Sequence, residues 1–361
     1  MFDKLTIENF KCFKKQEFVF PCLTVFVGAN GMGKSTVVQS LLLIRSAKEM
    51  RDSSSVALNG PYGLELGTSA SIINQDVDSN EIRFSVKDEQ DNLLFDMVLE
   101  GSLVEEKLDM RRKTFVEQVN EGIMAEEFYY LSAERRGPRV SQRIVPLRYL
   151  NTGFMGEHTG QIIAKRLLKV DNERRHPKIL TPYLVDHING WLSTILPGVE
   201  VTAEDNTRMQ ACQIKIRNKR SMGYVESTNL GFGISYALPI IVQGLVAEEG
   251  RYYVVENPEA HLHPSAQTEM GKFLAMLAEK GLRVVIETHS DHLLDGIQIY
   301  ASTHPSLRES VVIYSFGQDE ERNMVINPIH MDKDCDYTSW PKGFMDQTSK
   351  NYMEFVESRN L

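Results

Sequence analysis

Apolar positions along the chain change their spacing several times, and each change predicts a different element. Leu23 to Val27 is a short uninterrupted apolar run, the pattern of a strand buried on both faces. From Lys34 to Lys48, Val37, Val38, Leu41, Leu42 and Ile44 recur at helical spacing. Between Val56 and Gln118 the pattern alternates, in EIRFSV, NLLFDMVLE and KTFVEQ, which predicts antiparallel strands packed on the first lobe. Arg251 to Val255 (RYYVV) and Leu282 to Glu287 are again strand-like. Between them, Pro264 to Lys280 carries Met270, Phe273, Leu274 and Leu277 on one helical face, with Pro264 in its first turn and Gly281 at its end. Strand, helix, strand implies a parallel βαβ unit. Glu256 and His289, at the two strand ends, then share the sheet edge where α/β proteins bind ligands. Tyr236 to Ala247 reads as another apolar helix.

Composition narrows the class. The 361 residues suit one large domain or two smaller ones, and 42% hydrophobic with 25% charged is an ordinary soluble composition. No apolar run reaches about 18 residues, so no membrane partner is expected. The opening MFDKLTIENFKCF, with charges every few residues, does not read as a signal peptide, and four scattered cysteines form no CxxC pair, so a reducing cytoplasm is the expected home. The net charge of −9 argues against a generic DNA coat. Residues 134–220 differ: sixteen Lys or Arg face eight Asp or Glu, a net of +8 against −17 in the remainder. The clusters are Arg135, Arg136, Arg139, Arg143 and Arg148, then Arg174 and Arg175, then Lys215, Arg217, Lys219 and Arg220. Such a segment could track a DNA or RNA backbone; it could equally be a solvated face or meet an acidic partner. Arg135 and Arg136 could instead reach nucleotide phosphates.

Two stretches carry chemistry. Gly28-Ala29-Asn30-Gly31-Met32-Gly33-Lys34-Ser35-Thr36 fits GxxxxGK[ST] directly after a strand and before a helix. Its glycines let successive N–H groups converge on a phosphate, Lys34 would reach the β- and γ-phosphates of ATP, and the Ser35 hydroxyl would ligate Mg²⁺. A guanine-reading NKxD is not evident, since Asn218-Lys219-Arg220-Ser221 lacks the Asp. Glu256, at a strand end, supplies the acid such a site needs for Mg²⁺. Upstream, Gly231, Gly233 and Ser235 open the Tyr236–Ala247 helix, a second anion-seeking helix start. One chain binds one nucleotide, so this start makes most sense as a cap on a partner subunit's nucleotide.

The order of P-loop, glycine-serine segment, acidic strand end and THS resembles the ABC-type ATPase heads of OLD, RecF and SMC proteins. KLTIENFKCF…LTVFVGANGMGKST looks like their N-terminal strands, ENPEAHLHPSAQ like their Walker B and D-loop, and VVIETHSDHLL like their switch-histidine strand. WPKGFMDQ (Trp340 to Gln347) resembles the tail of a compact OLD-like subgroup. The resemblance implies an α/β fold, a P-loop ABC-type ATPase head with a mixed core sheet, an antiparallel β lobe and a helical insert. It implies a homodimer or higher oligomer closing on Mg-ATP. By position, Glu256 is the Walker B carboxylate, His289 senses the γ-phosphate, and Gly231, Gly233 and Ser235 form the signature. Lys11 touches the nucleotide, and Gln75 is the candidate glutamine linking metal to lid. Related ATPases often belong to bacterial anti-phage systems, which implies a separate effector protein, a nuclease or toxin.

One departure matters. Where most such heads have a second carboxylate after the Walker B acid, this chain has Asn257. An amide cannot accept a proton, so either Glu259 or His289 compensates or hydrolysis is slow; slow hydrolysis is expected. A rival reading makes Glu259, His261, His263, Glu287, His289 and His292 a metal-hydrolase cluster, although the spacing matches no intact motif. The other rival is a RecF-like DNA-repair ATPase. Asp332, Asp334 and Asp336 lack the Gly and Glu of an EF-hand and read as a solvated turn. No heptad run is long enough for a coiled-coil arm. The expected organisation is residues 1–130 and 226–330 as the two parts of the head, 131–225 as a basic, mostly helical insert, and 331–361 as a tail.

Overall fold

The computed structural model describes residues 3–50, 53–102, 104–116, 122–218, 223–226, 231–339 and 347–359. In chain order the elements begin with β1 (Asp3–Phe10), β2 (Phe13–Phe20), β3 (Leu23–Gly28) and α1 (Lys34–Glu49). Four strands follow, β4 (Ser55–Ala57), β5 (Glu81–Lys87), β6 (Leu93–Gly101) and β7 (Lys107–Phe115), then β8 (Tyr129–Leu131) and β9 (Gln142–Arg143). The middle holds α2 (Thr159–Ile163), α3 (Leu184–Ile195), β10 (Val199–Asn206), β11 (Ala211–Asn218) and β12 (Val225–Glu226). After it come α4 (Phe232–Val246), β13 (Tyr252–Glu256), α5 (Pro264–Glu279), β14 (Arg283–Glu287), α6 (Asp291–Thr303) and α7 (Pro305–Arg308). The chain ends with β15 (Val311–Gln318), β16 (Met324–Ile329) and α8 (Gln347–Ser358).

The core sheet runs β16-β15-β3-β14-β13-β8; every neighbouring pair is parallel except β15 with β16, so it is a mixed sheet. Its continuous apolar strands follow from burial on both faces. Leu23, Val25, Tyr253, Val255, Val284 and Ile286 face α3, α4, α5 and α6, while Phe26, Tyr252, Val254 and Val285 face α1 and the other lobe. That lobe is the expected antiparallel sheet, ordered β2-β1-β5-β6-β7-β4. Its alternation is visible in β5, where Ile82, Phe84 and Val86 are buried and Glu81 is exposed.

Segment 131–225 differs from the mostly helical insert expected. Its described residues hold α2 and α3 but also a small antiparallel sheet, β10-β11-β12 with β9 on β11. Helix α3 lays Leu184, Ile188, Leu192 and Ile195 into the same core as α4 and α5. Trp191 meets Phe273 of α5 at 5.1 Å between ring centroids. VEVTAEDN buries Val199, Val201 and Ala203 and turns Glu200 and Thr202 toward solvent, the alternation of a strand and not of a helix.

Helices α5 and α6 cross with almost no space between their backbones. A Cβ at Gly271 would stand 2.2 Å from the Leu293 carbonyl oxygen, and one at Gly296 would stand 2.1 Å from that of Thr268. The crossing fixes the start of α6, where the Ser290 hydroxyl accepts from the Leu293 N–H at 3.1 Å and donates to Gln267 of α5 at 2.6 Å. Gly271→Ala is expected to lower stability by about 1–3 kcal/mol, because backbone rather than a yielding side chain must move. Urea unfolding of the variant against wild type measures it; an unchanged midpoint contradicts the packing.

Candidate nucleotide site

Strand β3 delivers the chain into the glycine loop beneath α1. Gly28 has φ 131°, and a Cβ there would stand 2.1 Å from the Phe316 carbonyl oxygen of β15, so only glycine fits. Lys34 is 3% exposed. Its ammonium donates to the carbonyls of Gly28 at 2.9 Å and Ala29 at 2.8 Å, and burial lowers its pKa. A cavity of about 240 Å³ opens here, lined by Lys11, Cys12, Asn30, Gly31, Gly33, Lys34, Ser35, Thr36, Gln39 and Glu287. Met32 packs into the core beside the antiparallel lobe. Lys11 comes from the β1–β2 turn, where its ammonium donates to Gln39 Oε1 at 2.7 Å.

The acidic strand ends stand side by side. Parallel pairing puts Glu256 opposite Glu287, and Glu287 opposite Phe26 of the P-loop strand. The Ser35 hydroxyl donates to Glu287 Oε1 at 2.9 Å, while Glu287 Oε2 is buried with no hydrogen-bond partner. Burial pushes this carboxyl above the usual carboxylate range, against the pull of Ser35 and Lys34. Glu256 is held elsewhere: the Tyr130 hydroxyl donates to Oε1 at 3.1 Å and the Ala133 N–H to Oε2 at 3.3 Å. Burial first, and Glu287 second, push the Glu256 carboxyl up to about 7.

Past Glu256 the chain turns sharply. Asn257 has φ 44°, a left-handed conformation that Asn adopts more readily than most residues. Its N–H donates to the Glu287 carbonyl at 2.8 Å, and its Oδ1 is buried without a partner. Arg135 closes the turn, donating to the carbonyls of Glu256 at 2.7 Å and Asn257 at 2.5 Å. Glu259 Oε1 accepts the His289 N–H at 2.8 Å, and Glu259 Oε2 has no partner. Partial burial, then the charge of Lys34, lowers the pKa of the His289 ring, against the opposing pull of Glu259. A hydroxyl and an orphaned carboxylate oxygen beside a phosphate-shaped loop are hard oxygen donors that fit Mg²⁺, an ion that keeps most of its shell as water and phosphate oxygen.

Several expectations change. Arg135 is 3% exposed, with its guanidinium 5.1 Å from the Tyr236 ring centroid, so it braces the turn after Glu256 against α4 rather than reaching a phosphate. Gln75 is exposed and outside the lining of the cavity. Helix α4, where the signature was expected, meets the loop before α5 of its own chain: a Cβ at Gly233 would stand 2.8 Å from the His261 carbonyl oxygen. It begins at Phe232, a turn earlier than expected, with Gly231 as its cap and Ser235 beside Arg136 and Gly137. Asn229 and Leu230 lie outside the described residues.

The histidines disperse. His261 packs on Tyr236 at 4.6 Å between centroids, His263 caps α5, and His292 faces Asp295 at 3.7 Å. Asp332 Oδ1 accepts the N–H groups of Asp334 at 2.8 Å and Asp336 at 3.0 Å, a closed turn. Much of the basic segment is answered internally. Arg174 donates to the carbonyls of Gly244 and Ala247, and Arg148, Lys215 and Arg217 pair with Glu126, Glu204 and Glu200. Lys219 and Arg220 lie outside the described residues, as do Trp340–Asp346 of the tail.

Sequence reasoning missed Glu287 as part of the phosphate site, Tyr130 as the partner of Glu256, and Gln39. Gln39 lies four residues after Ser35, one helical turn on the same face, which is the signal that could have found it. Glu287 carried a signal too, an acid ending an apolar strand next to His289.

Residues 1–134 and 163–294, well over half of the chain, match the AAA ATPase domain family. Among solved structures the chain is similar to an Smc head bound to the C-winged helix domain of ScpA, with TM-score 0.54 and 11% identity over 92% of this chain and 98% of that one. It is likewise similar to an Smc head domain with an extended coiled coil bound to the C-terminal domain of ScpA derived from Pyrococcus furiosus, with TM-score 0.54 and 10% identity over 100% and 99%. Among curated proteins none matches its sequence. The structural likeness shows the fold, a P-loop ATPase head of the SMC type, and the matched residues include the P-loop, Glu256 and His289. The chain belongs to the AAA ATPase domain family.

Proposed function

We propose that this ATPase is a slow switch: Mg-ATP joins two copies, and the closed dimer controls a separate effector protein, in bacterial anti-phage defence. The P-loop cavity carries the reading, with Lys34 and Ser35 at the start of α1 and an orphaned carboxylate oxygen facing them. Lys34 and the loop N–H groups would bind and orient the phosphates, Ser35 and a strand-end carboxylate would hold the metal, and His289 follows the end of β14. Mg²⁺, when bound, would offset phosphate charge. Gly231, Gly233 and Ser235 open α4 outside the lining of the P-loop cavity of their own chain, which supports a role for them on a second copy's nucleotide. An Smc head of the same fold is seen bound to a ScpA domain, which supports a protein partner for this head. The defence role rests on the OLD-like resemblance, and a requirement for ATP supports a cytoplasmic setting.

Slow turnover rests on Asn257. Its amide cannot take the proton of an attacking water, and general-base assistance is worth about 10²–10⁴-fold. The reading that residues 134–220 bind DNA, as a RecF-like repair ATPase would, is weaker because Arg135, Arg174, Lys215 and Arg217 have internal partners.

Lys34→Ala is expected to abolish ATP binding, and Glu256→Gln to retain binding while losing most turnover; isothermal titration and phosphate release measure the pair. Undiminished hydrolysis in both variants would refute the site. Asn257→Asp restores a carboxylate in a residue that tolerates the left-handed backbone, and is expected to raise kcat by about 10-fold or more. Wild-type turnover at hundreds per second, or no gain in the variant, contradicts the slow-switch reading.

A further inference from the structure

We propose that the carboxylate holding Mg²⁺ beside Ser35 is Glu287, from the strand between the P-loop and Walker B strands, and that Glu256 is a positioning residue behind it. The inference rests on the P-loop being the Mg-ATP site.

Four observations carry it. Glu287 lines the phosphate cavity together with Lys34, Ser35 and Thr36, whereas Glu256 is not part of that lining. Ser35, whose hydroxyl would ligate the metal, already contacts Glu287 at 2.9 Å. Glu287 is 6% exposed, and its second oxygen has no hydrogen-bond partner among the described residues, so a ligand position is left on a side chain that cannot turn to water. Both oxygens of Glu256 are engaged, by the Tyr130 hydroxyl at 3.1 Å and the Ala133 N–H at 3.3 Å.

Register explains the exchange. Strand β14 lies between β3 and β13, so a side chain at its end is one strand spacing, about 4.8 Å, closer to the P-loop strand than its neighbour on β13. The carbonyl of Glu287 is fixed by the Asn257 N–H at 2.8 Å, which holds the backbone of that strand end. Glu256 then sets the tilt of the strand ends through Tyr130 and β8. A single hydroxyl and a single carboxylate suffice for Mg²⁺, because phosphate and water oxygens fill the rest of its octahedron.

The test uses the full chain, ATPγS as nucleotide and Mn²⁺ as a paramagnetic stand-in for Mg²⁺. ATPγS affinity is measured with Mg²⁺ and with EDTA, and Mn²⁺ affinity of the ATPγS complex is read by electron paramagnetic resonance. In Glu287→Gln, affinity in EDTA is expected to stay near wild type, while the metal-dependent tightening and the Mn²⁺ affinity fall by about 10-fold or more. Glu256→Gln is expected to keep both. The glutamine at 287 preserves the hydrogen bond with Ser35 and removes a buried charge, so the thermal midpoint of the unliganded variant should equal or exceed wild type, which shows an intact fold. Lys34→Ala separates the two levels: loss of ATPγS in both conditions supports the P-loop site, and wild-type binding refutes it. If Lys34→Ala loses ATPγS but Glu256→Gln, alone or equally with Glu287→Gln, loses Mn²⁺, the assignment to Glu287 is overturned while the P-loop site stands. Lost turnover with unchanged Mn²⁺ affinity in Glu287→Gln overturns it as well.

Discussion

The parallel pairing of β14 with β3 on one side and β13 on the other is the constraint on which the site depends. It sets Phe26, Glu287 and Glu256 on one line across three strand ends, and so fixes two carboxylates on adjacent strands next to the P-loop. Burial displaces both acids upward from ordinary carboxylate behaviour, with the charge of Glu287 adding to the rise at Glu256 and that of Glu259 to the rise at Glu287. The fold holds them with a hydroxyl each, Ser35 for one and Tyr130 for the other, with Lys34 near the first. An arrangement that costs stability without a ligand and gains from a cation is what a metal-nucleotide site requires.

The same line of strand ends transmits to the outer surface. Arg135 links the carbonyls of Glu256 and Asn257 to the ring of Tyr236 on α4, and His261 packs between that helix and the D-loop. A change at the acidic turn therefore has a packed route to the signature helix. In the proposed dimer that helix faces the nucleotide of the other copy, so phosphate occupancy and dimer geometry would be coupled through Arg135. The buried α5–α6 crossing at Gly271 and Gly296 brings the two backbones into direct contact just after His289.

Continuous apolar strands, the alternating lobe and the helix after HLHP were legible because burial on two faces, on one face, or along a stripe leaves different spacings. The P-loop was legible because its glycines and lysine are required by backbone geometry. Glu287 was overlooked as a site residue because strand order is a long-range property: nothing local says that the THS strand inserts beside the P-loop strand. Tyr130 was hidden for the same reason, since β8 joins the sheet edge far from its sequence neighbours. The basic segment misled because composition counts charges without their partners. Arg135 and Arg174 are buried among carbonyls, and strands β10 and β11 place Glu200 and Glu204 across from or near Arg217 and Lys215.

The central claim is that one chain supplies only part of a nucleotide site and that a second copy completes it. Sedimentation velocity of the full chain with and without saturating Mg-ATPγS tests it most directly, alongside Ser235→Arg, which places bulk at the signature helix away from the P-loop. The expected result is nucleotide-dependent doubling of mass in wild type, and none in the variant even though it still binds ATPγS. A wild-type chain that stays monomeric while saturated with nucleotide would contradict the account.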